Sequence, residues 1–202
     1  MKMYDFTLAP SPRRVRIFLA EKGVSVALEQ VDIMRNANRT PAFYRMNPLG
    51  SLPILELDDG SFLSESVAIC RYFEGLHREP PLFGVGALEQ ARVEMWNRRV
   101  ELGIFAPVGH VWSHLSKVSE GRGHRIPEFG RIERDTAVRG FAILDVALGQ
   151  SDFVAGERFS IADITTLCMV DFAKTVEIEI QPEQKNLARW YAQVASRPSA
   201  NA

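Results

Sequence analysis

The chain has 202 residues, of which 46% are hydrophobic and 24% are charged, so it is long and apolar enough to bury a core, and this composition argues against disorder. Its formal net charge of -1 at pH 7 provides no electrostatic reason to bind nucleic acid or an anionic membrane. Small molecules and proteins are therefore the expected partners.

The two cysteines, Cys70 and Cys168, form no CxxC pair and leave room for at most one disulfide. No stretch resembles the apolar core of a signal peptide or reaches the length of a membrane span. Because reduced thiols are typical of the cytoplasm, these features predict a cytoplasmic protein.

The first part of the chain alternates strand-like and helical patterns. Residues 3–8 are predicted to form a strand, and an Ala-Pro-Ser-Pro turn at residues 9–12 separates it from a helix over residues 13–22, which ends at Gly23. Residues 26–33 are a second strand candidate. The chain is therefore expected to begin with a strand, a helix and a strand.

Two further helices and a hairpin follow. Proline suits the first turn of a helix, so Thr40-Pro41 predicts a short helix over residues 42–46. Residues 52–57 and 61–63 flank an Asp-Asp-Gly turn and are expected to pair as antiparallel strands. A helix that opens at Ser64-Glu65-Ser66 then completes the order β-α-β-α-β-β-α.

A proline- and glycine-rich stretch over residues 77–87 is predicted to link this α/β domain, residues 1–76, to a second domain over residues 88–202. The second domain is expected to be all helical, because its apolar residues recur at helical spacing. Its predicted helices cover residues 88–118, 132–148, 161–176 and 186–196.

Three short segments carry a family resemblance: Asn-Pro-Leu-Gly-Ser-Leu-Pro-Ile-Leu at residues 47–55, Asp59-Gly60, and Leu-Ser-Glu-Ser at residues 63–66. Together they closely resemble the N-terminal domain of cytosolic glutathione transferases of the bacterial type. Residues 153–163 resemble the start of a core helix in the second domain of these proteins. The resemblance covers nearly the whole chain and implies a thioredoxin-like N-terminal domain, a helical-bundle C-terminal domain, glutathione as co-substrate and a two-fold homodimer.

The resemblance implies that four residues bind glutathione. Pro53 is cis in the family, and the backbone of the preceding residue, Leu52, pairs with the cysteinyl backbone of glutathione like an added strand. Glu65 and Ser66 lie where a strand gives way to a helix, so Ser66 suits the γ-glutamyl carboxylate and Glu65 suits the ammonium group. The alternatives are an ordinary proline at the start of a strand and a serine that only caps the helix.

The position that activates the thiol in the serine and cysteine classes of the family is occupied here by Ala9, which has no side-chain donor. Because the thiolate is the nucleophile, these enzymes lower the thiol pKa with a hydrogen-bond donor after the first strand. Ser11 is the nearest hydroxyl and is the catalytic candidate, with Thr7 and Tyr4 as alternatives. Ser11 would otherwise be a turn or N-cap serine.

Arg13, Arg14 and Arg16 crowd the start of the first predicted helix, where positive charge opposes the helix dipole. The favoured interpretation is a solvated basic face or salt bridges to the second domain. The alternative is a contact with a carboxylate of glutathione.

Further candidates lie in the second domain. Phe105, Val108 and Trp112 recur at helical spacing and are candidates to line a pocket for an apolar electrophile, although such residues more often belong to a core. Ser160 and Asp163 fit a capping box, which indicates a structural role at the start of a helix.

The sequence thus predicts a glutathione transferase that adds the thiolate of glutathione to a small apolar electrophile, a reaction of detoxification. No metal is expected, since His110 and His114 share a helical face without a third ligand. Two alternatives stay open. One is a glutathione-dependent peroxidase or disulfide reductase that uses the sulfur of glutathione itself, and the other is a noncatalytic glutathione-binding or protein-interaction module.

Overall fold

The structure of the chain, a computed structural model, describes all 202 residues. Residues 1–81 and 198–202 form one unit, and residues 82–197 form a second unit. The first unit thus combines the start of the chain with its last residues. The linker over residues 77–87 stays a prediction.

Four strands form the sheet of the first unit: β1 (Lys2–Asp5), β2 (Ala27–Gln30), β3 (Ile54–Glu56) and β4 (Phe62–Ser64). Strand β1 pairs in parallel with β2 and antiparallel with β3. Strand β3 also pairs antiparallel with β4, as expected for the hairpin. The spatial order is therefore β2-β1-β3-β4.

Three helices complete the first unit: α1 (Pro10–Lys22), α2 (Pro41–Met46) and α3 (Ser66–Leu76). The order β-α-β-α-β-β-α predicted from the sequence is confirmed. Gly23 ends α1 in the left-handed conformation, with φ of 65°. Thr40 caps α2 by accepting a hydrogen bond from the N–H of Phe43.

The boundary between β1 and α1 differs from the prediction. The strand ends at Asp5 rather than at residue 8, and the helix begins at Pro10 rather than at residue 13. Both prolines of the turn fit the first helical turn, where a missing N–H leaves no helical hydrogen bond unmade. Ser11 therefore lies in the first turn of α1, between the two prolines.

The core of the first unit combines the buried face of the sheet with apolar residues of α1 and α3. Along β1, the alternation of side chains puts Met3 and Asp5 on the same buried face. The helices contribute fully buried side chains, namely Val15, Phe18, Ile69 and Phe73. Asp5 places a carboxylate in this layer, and a buried carboxylate requires hydrogen-bond partners.

The last residues of the chain pack on α1. Arg13 Nη2 donates to the backbone carbonyl of Ala200 at 3.0 Å, and the Ser199 hydroxyl donates to Glu21 Oε1. Residues 198–202 are thereby held in the first unit.

Five α-helices make up the second unit: α4 (Gly86–Val100), α5 (Ala106–Leu115), α6 (Pro127–Leu148), α7 (Ile161–Lys174) and α8 (Lys185–Ala195). A wider π-helical turn, Glu101–Phe105, joins α4 to α5, and the backbone stays helical from Gly86 to Leu115, so the helix predicted over residues 88–118 is present with different ends and an internal π-helical turn. Pro107 explains the widening, because it has no N–H to donate to the carbonyl four residues earlier. Helix α6 begins at Pro127 instead of residue 132, since proline again suits the first turn.

Helix α7 lies at the centre of the second unit, because its residues 161–170 are all buried. Close packing around it depends on Gly140 of α6, where a Cβ would lie 2.7 Å from the side chain of Ile104. None of the helices combines the length and the apolar character that crossing a membrane requires.

Candidate active site

The turn between β1 and α1 is held by a hydrogen-bond network around the buried Asp5. The Asp5 carboxylate is fully buried and accepts hydrogen bonds from Arg16 Nη1 and Gln30 Nε2. Arg16 Nη2 also donates to the Thr7 carbonyl at 2.9 Å. Gln30 Oε1 accepts from the N–H of Thr7 at 3.0 Å and from its hydroxyl at 2.9 Å. Because these bonds share their partners, the network fixes the conformation of the turn.

Two of the three hydroxyl groups considered for thiol activation already have acceptors within the protein. Thr7 donates to Gln30, and Tyr4 donates to Glu56 Oε2 at 2.8 Å. Burial raises the pKa of the Tyr4 phenol, so it stays a protonated donor to Glu56. The hydroxyl of Ser11 makes no hydrogen bond within the protein. Of these three hydroxyl groups, that of Ser11 is thus the one without an acceptor in the protein.

The N-terminus of α1 presents few backbone donors. Ala9 is the N-cap and has no capping side chain, and its N–H donates to the carbonyl of Phe6 at 2.9 Å. Pro10 and Pro12 have no N–H, so Ser11 carries the one N–H of the first three helical positions. The backbone N–H and the hydroxyl of Ser11 thus both lie at the positive end of the helix dipole.

The peptide bond between Leu52 and Pro53 is cis, as the family resemblance implies. Leu52 packs beside a small apolar cluster of Val31, Phe43 and Ile54. The paired residues of β3 begin at Ile54. The backbone N–H and C=O of Leu52 therefore take no part in the hydrogen bonds of the sheet.

Glu65 and Ser66 begin α3. Glu65 is the N-cap and has a left-handed φ of 68°, a conformation that costs a residue with a Cβ on the order of 1–3 kcal/mol. Its side chain is exposed. Ser66 is buried, and its hydroxyl accepts a hydrogen bond of 2.6 Å from Arg14 Nη1. An exposed carboxylate and a serine hydroxyl thus lie together at the positive end of α3.

The interpretation of the three arginines as a solvated basic face is wrong. Arg14 is 2% exposed and donates to Ser66, while Arg16 pairs with the buried Asp5. The sequence contained a signal for Arg14 that the prediction missed. Arg14 precedes the core residue Phe18 by four positions, so both lie on one face of α1.

Two protein-family models match this chain. The model described as the glutathione S-transferase N-terminal domain matches residues 9–76, and the model of the glutathione S-transferase C-terminal domain matches residues 131–198. Together they cover more than half of the chain. The chain belongs to the glutathione S-transferase family.

Several members of this family are similar to the chain over nearly its whole length. Glutathione S-transferase 2 of Saccharomyces cerevisiae is 35% identical, in an alignment that covers 98% of this chain and 87% of the yeast protein. The crystal structure of a glutathione S-transferase domain-containing protein of Marinobacter aquaeolei is 36% identical, covers 98% of this chain and 99% of that one, and superimposes with a TM-score of 0.95. A glutathione S-transferase of Vibrio parahaemolyticus gives 33% identity, coverage of 98% and 95%, and a TM-score of 0.88. The thioredoxin-like first domain and helical second domain of the family are thus those of this chain.

The residues suggested for the second substrate of this glutathione S-transferase lie in its helical unit. The ring centroids of Phe105 and Trp112 lie 6.1 and 6.3 Å from that of Phe172 in α7. Val108 is fully buried. These positions give the three residues packing contacts within the unit, and their contact with an electrophile stays a prediction.

Asp163 organises the start of α7 in this glutathione S-transferase. It is fully buried and accepts hydrogen bonds from the N–H of Val154 (2.9 Å), the indole of Trp190 (2.8 Å), and the N–H (2.9 Å) and hydroxyl (3.1 Å) of Ser160. The Ser160 hydroxyl in turn accepts from the N–H of Ala162, which completes a capping box. Burial raises the pKa of Asp163 to about 6, so the carboxylate is mostly ionised at neutral pH.

The two histidines that share a face of α5 have separate partners. His110 Nδ1 lies 2.6 Å from Glu133 Oε2, and His114 Nδ1 accepts a hydrogen bond from the N–H of Ile126. No group of three or more histidine, cysteine, aspartate or glutamate side chains in the structure is arranged to hold a metal ion.

Proposed function

We propose that this glutathione transferase binds glutathione at the N-terminus of α3 and adds its thiolate to a small apolar electrophile. The observation that carries the proposal is that Glu65 and Ser66 lie side by side at the start of α3. The exposed carboxylate of Glu65 suits an ammonium group, and the Ser66 hydroxyl at a helix N-terminus suits a carboxylate. The α-carbon of the γ-glutamyl group carries both charges. The backbone of Leu52 offers an N–H and a C=O for the cysteinyl part.

The cysteines of the protein do not support a thiol-based redox alternative. Cys70 and Cys168 are buried, and neither forms a disulfide. Any redox reaction would therefore have to use the sulfur of bound glutathione. Buried reduced thiols also support a location in the cytoplasm.

Steady-state kinetics with a chlorodinitroarene test the proposed function. We expect the conjugation rate to saturate with glutathione, whereas free cysteine, which lacks the γ-glutamyl group, should give no saturable rate. Hydroperoxide and disulfide substrates measured in parallel separate the peroxidase and reductase alternative. If glutathione binds but no substrate reacts, the protein is a noncatalytic binding module and the proposed reaction is wrong.

The activating role proposed for Ser11 predicts a change in the bound thiol. Ser11→Ala is expected to raise the pKa of the thiol of bound glutathione, because a donor to the thiolate holds that pKa below its free value of about 8.5. The N–H of residue 11 remains, so we expect a partial effect of roughly one pKa unit, or about 1.36 kcal/mol. Ultraviolet difference titration of the thiolate measures it directly.

Thr7→Val is the matched control for this titration, because the Thr7 hydroxyl already donates to Gln30. It should leave the thiol pKa unchanged, because the backbone N–H of Thr7 still donates to Gln30 and holds the turn. Coincident titration curves for wild type and Ser11→Ala, with glutathione still bound, would assign activation to the backbone or to another group.

The proposed function also includes a two-fold homodimer. A groove of about 620 Å³ between α6 and the segment from α4 to the π-helical turn is lined largely by apolar groups, with Leu102 65% and Ile143 60% exposed. Exposed apolar patches of this kind mark protein contacts. Sedimentation at micromolar concentration is expected to give twice the mass of the chain, and Ile143→Glu is expected to give the monomer. A wild-type monomer that binds glutathione would contradict the dimer.

A further inference from the structure

A buried guanidinium group lies directly behind the serine proposed to bind the γ-glutamyl group. Arg14 is 2% exposed and Ser66 is 5% exposed, and Arg14 Nη1 donates to Ser66 Oγ at 2.6 Å. Arginine is almost never fully buried unless it is paired. The hydrogen bond to Ser66 places one end of this guanidinium group at the start of α3.

The hydrogen bond determines the direction in which Ser66 donates. A guanidinium group has donors and no acceptor, so Ser66 Oγ must be the acceptor and keeps its own proton for another partner. No protein atom accepts that proton. A hydroxyl that accepts from a cation is polarised into a stronger donor. Ser66 is thus prepared to donate to an anion.

The charge of Arg14 also distinguishes between the two charged groups of a bound γ-glutamyl moiety. Its positive charge adds to the positive end of the α3 dipole at the Ser66 hydroxyl, where burial limits screening by solvent. A carboxylate is attracted to this position and an ammonium group is repelled from it. The carboxylate of Glu65, at the neighbouring exposed position, attracts the ammonium group and repels the carboxylate.

We propose that Arg14 is a positioning residue for glutathione, which acts through Ser66 to orient the γ-glutamyl carboxylate and to exclude the ammonium group from that position. The proposal rests on the proposed glutathione site at Glu65 and Ser66. It predicts that Arg14 contributes to affinity only for ligands that carry the γ-glutamyl carboxylate.

Calorimetric titration with two ligands tests this dependence. The first ligand is glutathione, and the second is 4-aminobutyryl-cysteinylglycine, which lacks only the α-carboxylate of the γ-glutamyl group. Arg14→Gln is expected to weaken glutathione binding about tenfold or more, as the loss of a charge-assisted contact implies, and to leave binding of the analogue nearly unchanged. Arg14→Lys, which keeps the positive charge, should recover part of the lost affinity.

Two further variants show that the effect passes through Ser66. In a Ser66→Ala background, Arg14→Gln should weaken glutathione binding by less than about threefold, because the contact it supports is already gone. Arg13→Gln is the matched control one position earlier, where the side chain donates to Ala200, and it should keep the wild-type preference for glutathione over the analogue. Thermal unfolding of each variant identifies any variant that does not fold. If Arg14→Gln does not fold, Arg14→Lys is measured in its place, and it should weaken binding of glutathione more than binding of the analogue.

The outcomes separate this proposal from the proposed function. Wild-type protein that does not bind glutathione overturns both. Wild-type protein that prefers glutathione, combined with an Arg14 variant that loses affinity equally for both ligands or for neither, overturns the role of Arg14 and leaves the glutathione site intact. Selective loss for glutathione with recovery by lysine supports it.

Discussion

Asp163→Asn is expected to lower the free energy of unfolding by about 1–3 kcal/mol at pH 7.5, because it leaves buried hydrogen-bond donors without an acceptor. The Asp163 carboxylate accepts from Val154, Trp190 and, twice, from Ser160. An asparagine side chain has one acceptor oxygen and an NH₂ group that can only donate. The NH₂ group would therefore face donors on one side of the site, and the start of α7, the central helix of its unit, would lose its cap.

Chemical denaturation monitored by tryptophan fluorescence measures this loss, since Trp190 is a partner of Asp163. Asp135→Asn is the matched control, because Asp135 is exposed on α6 and surface substitutions usually change stability by less than about 0.5 kcal/mol. An Asp163→Asn protein within 1 kcal/mol of wild type would show that the cap is dispensable, a threshold set by the usual spread of point variants.

Asp5→Asn is expected to lower the free energy of unfolding by more, about 3–5 kcal/mol, because it leaves the Arg16 guanidinium without its buried anion. Arg16 is 11% exposed in its side chain and Asp5 is 1% exposed, so water can replace the lost partner only in part. The same network holds Thr7 in the turn before α1. We therefore also expect a lower conjugation rate, because the turn that carries Ser11 is no longer fixed.

A double variant and a surface control sharpen this experiment. Asp5→Leu combined with Arg16→Met removes both charges and should be less destabilising than Asp5→Leu alone, since no unpaired charge remains buried. Glu29→Gln on β2 breaks the pair of Glu29 with Lys2 at the surface and should cost at most about 1 kcal/mol. If Asp5→Leu and the double variant lower the free energy of unfolding equally, the ion pair of Asp5 with Arg16 is not important for stability.

The fold was largely predictable, because its elements are marked by local signals. Thr40 and Gly23 mark a helix start and a helix end, and the Asp-Asp-Gly turn marks the hairpin, as the structure has them. Helix starts were missed at Pro10, where the prolines were interpreted as a turn, and at Pro127, although the geometry of proline suits the first helical turn.

The partners of the buried charged residues were not predictable, because they are distant in sequence. Helical spacing indicates that Arg14 faces the core, yet only the fold shows that it meets Ser66, 52 positions away. Gln30 meets Asp5 in the same way, across the pairing of β1 with β2. The positive φ of Glu65 also has no sequence signal, because glutamate is not among the residues that favour this conformation.

The return of residues 198–202 to α1 makes the first unit discontinuous along the chain. During vectorial synthesis, the sheet and its helices leave the ribosome long before the segment that contributes Ala200 and Ser199 to the surface of α1. The nascent first unit must therefore wait for the entire helical unit before its own fold is complete. Completion of the first unit thus depends on synthesis of the whole chain.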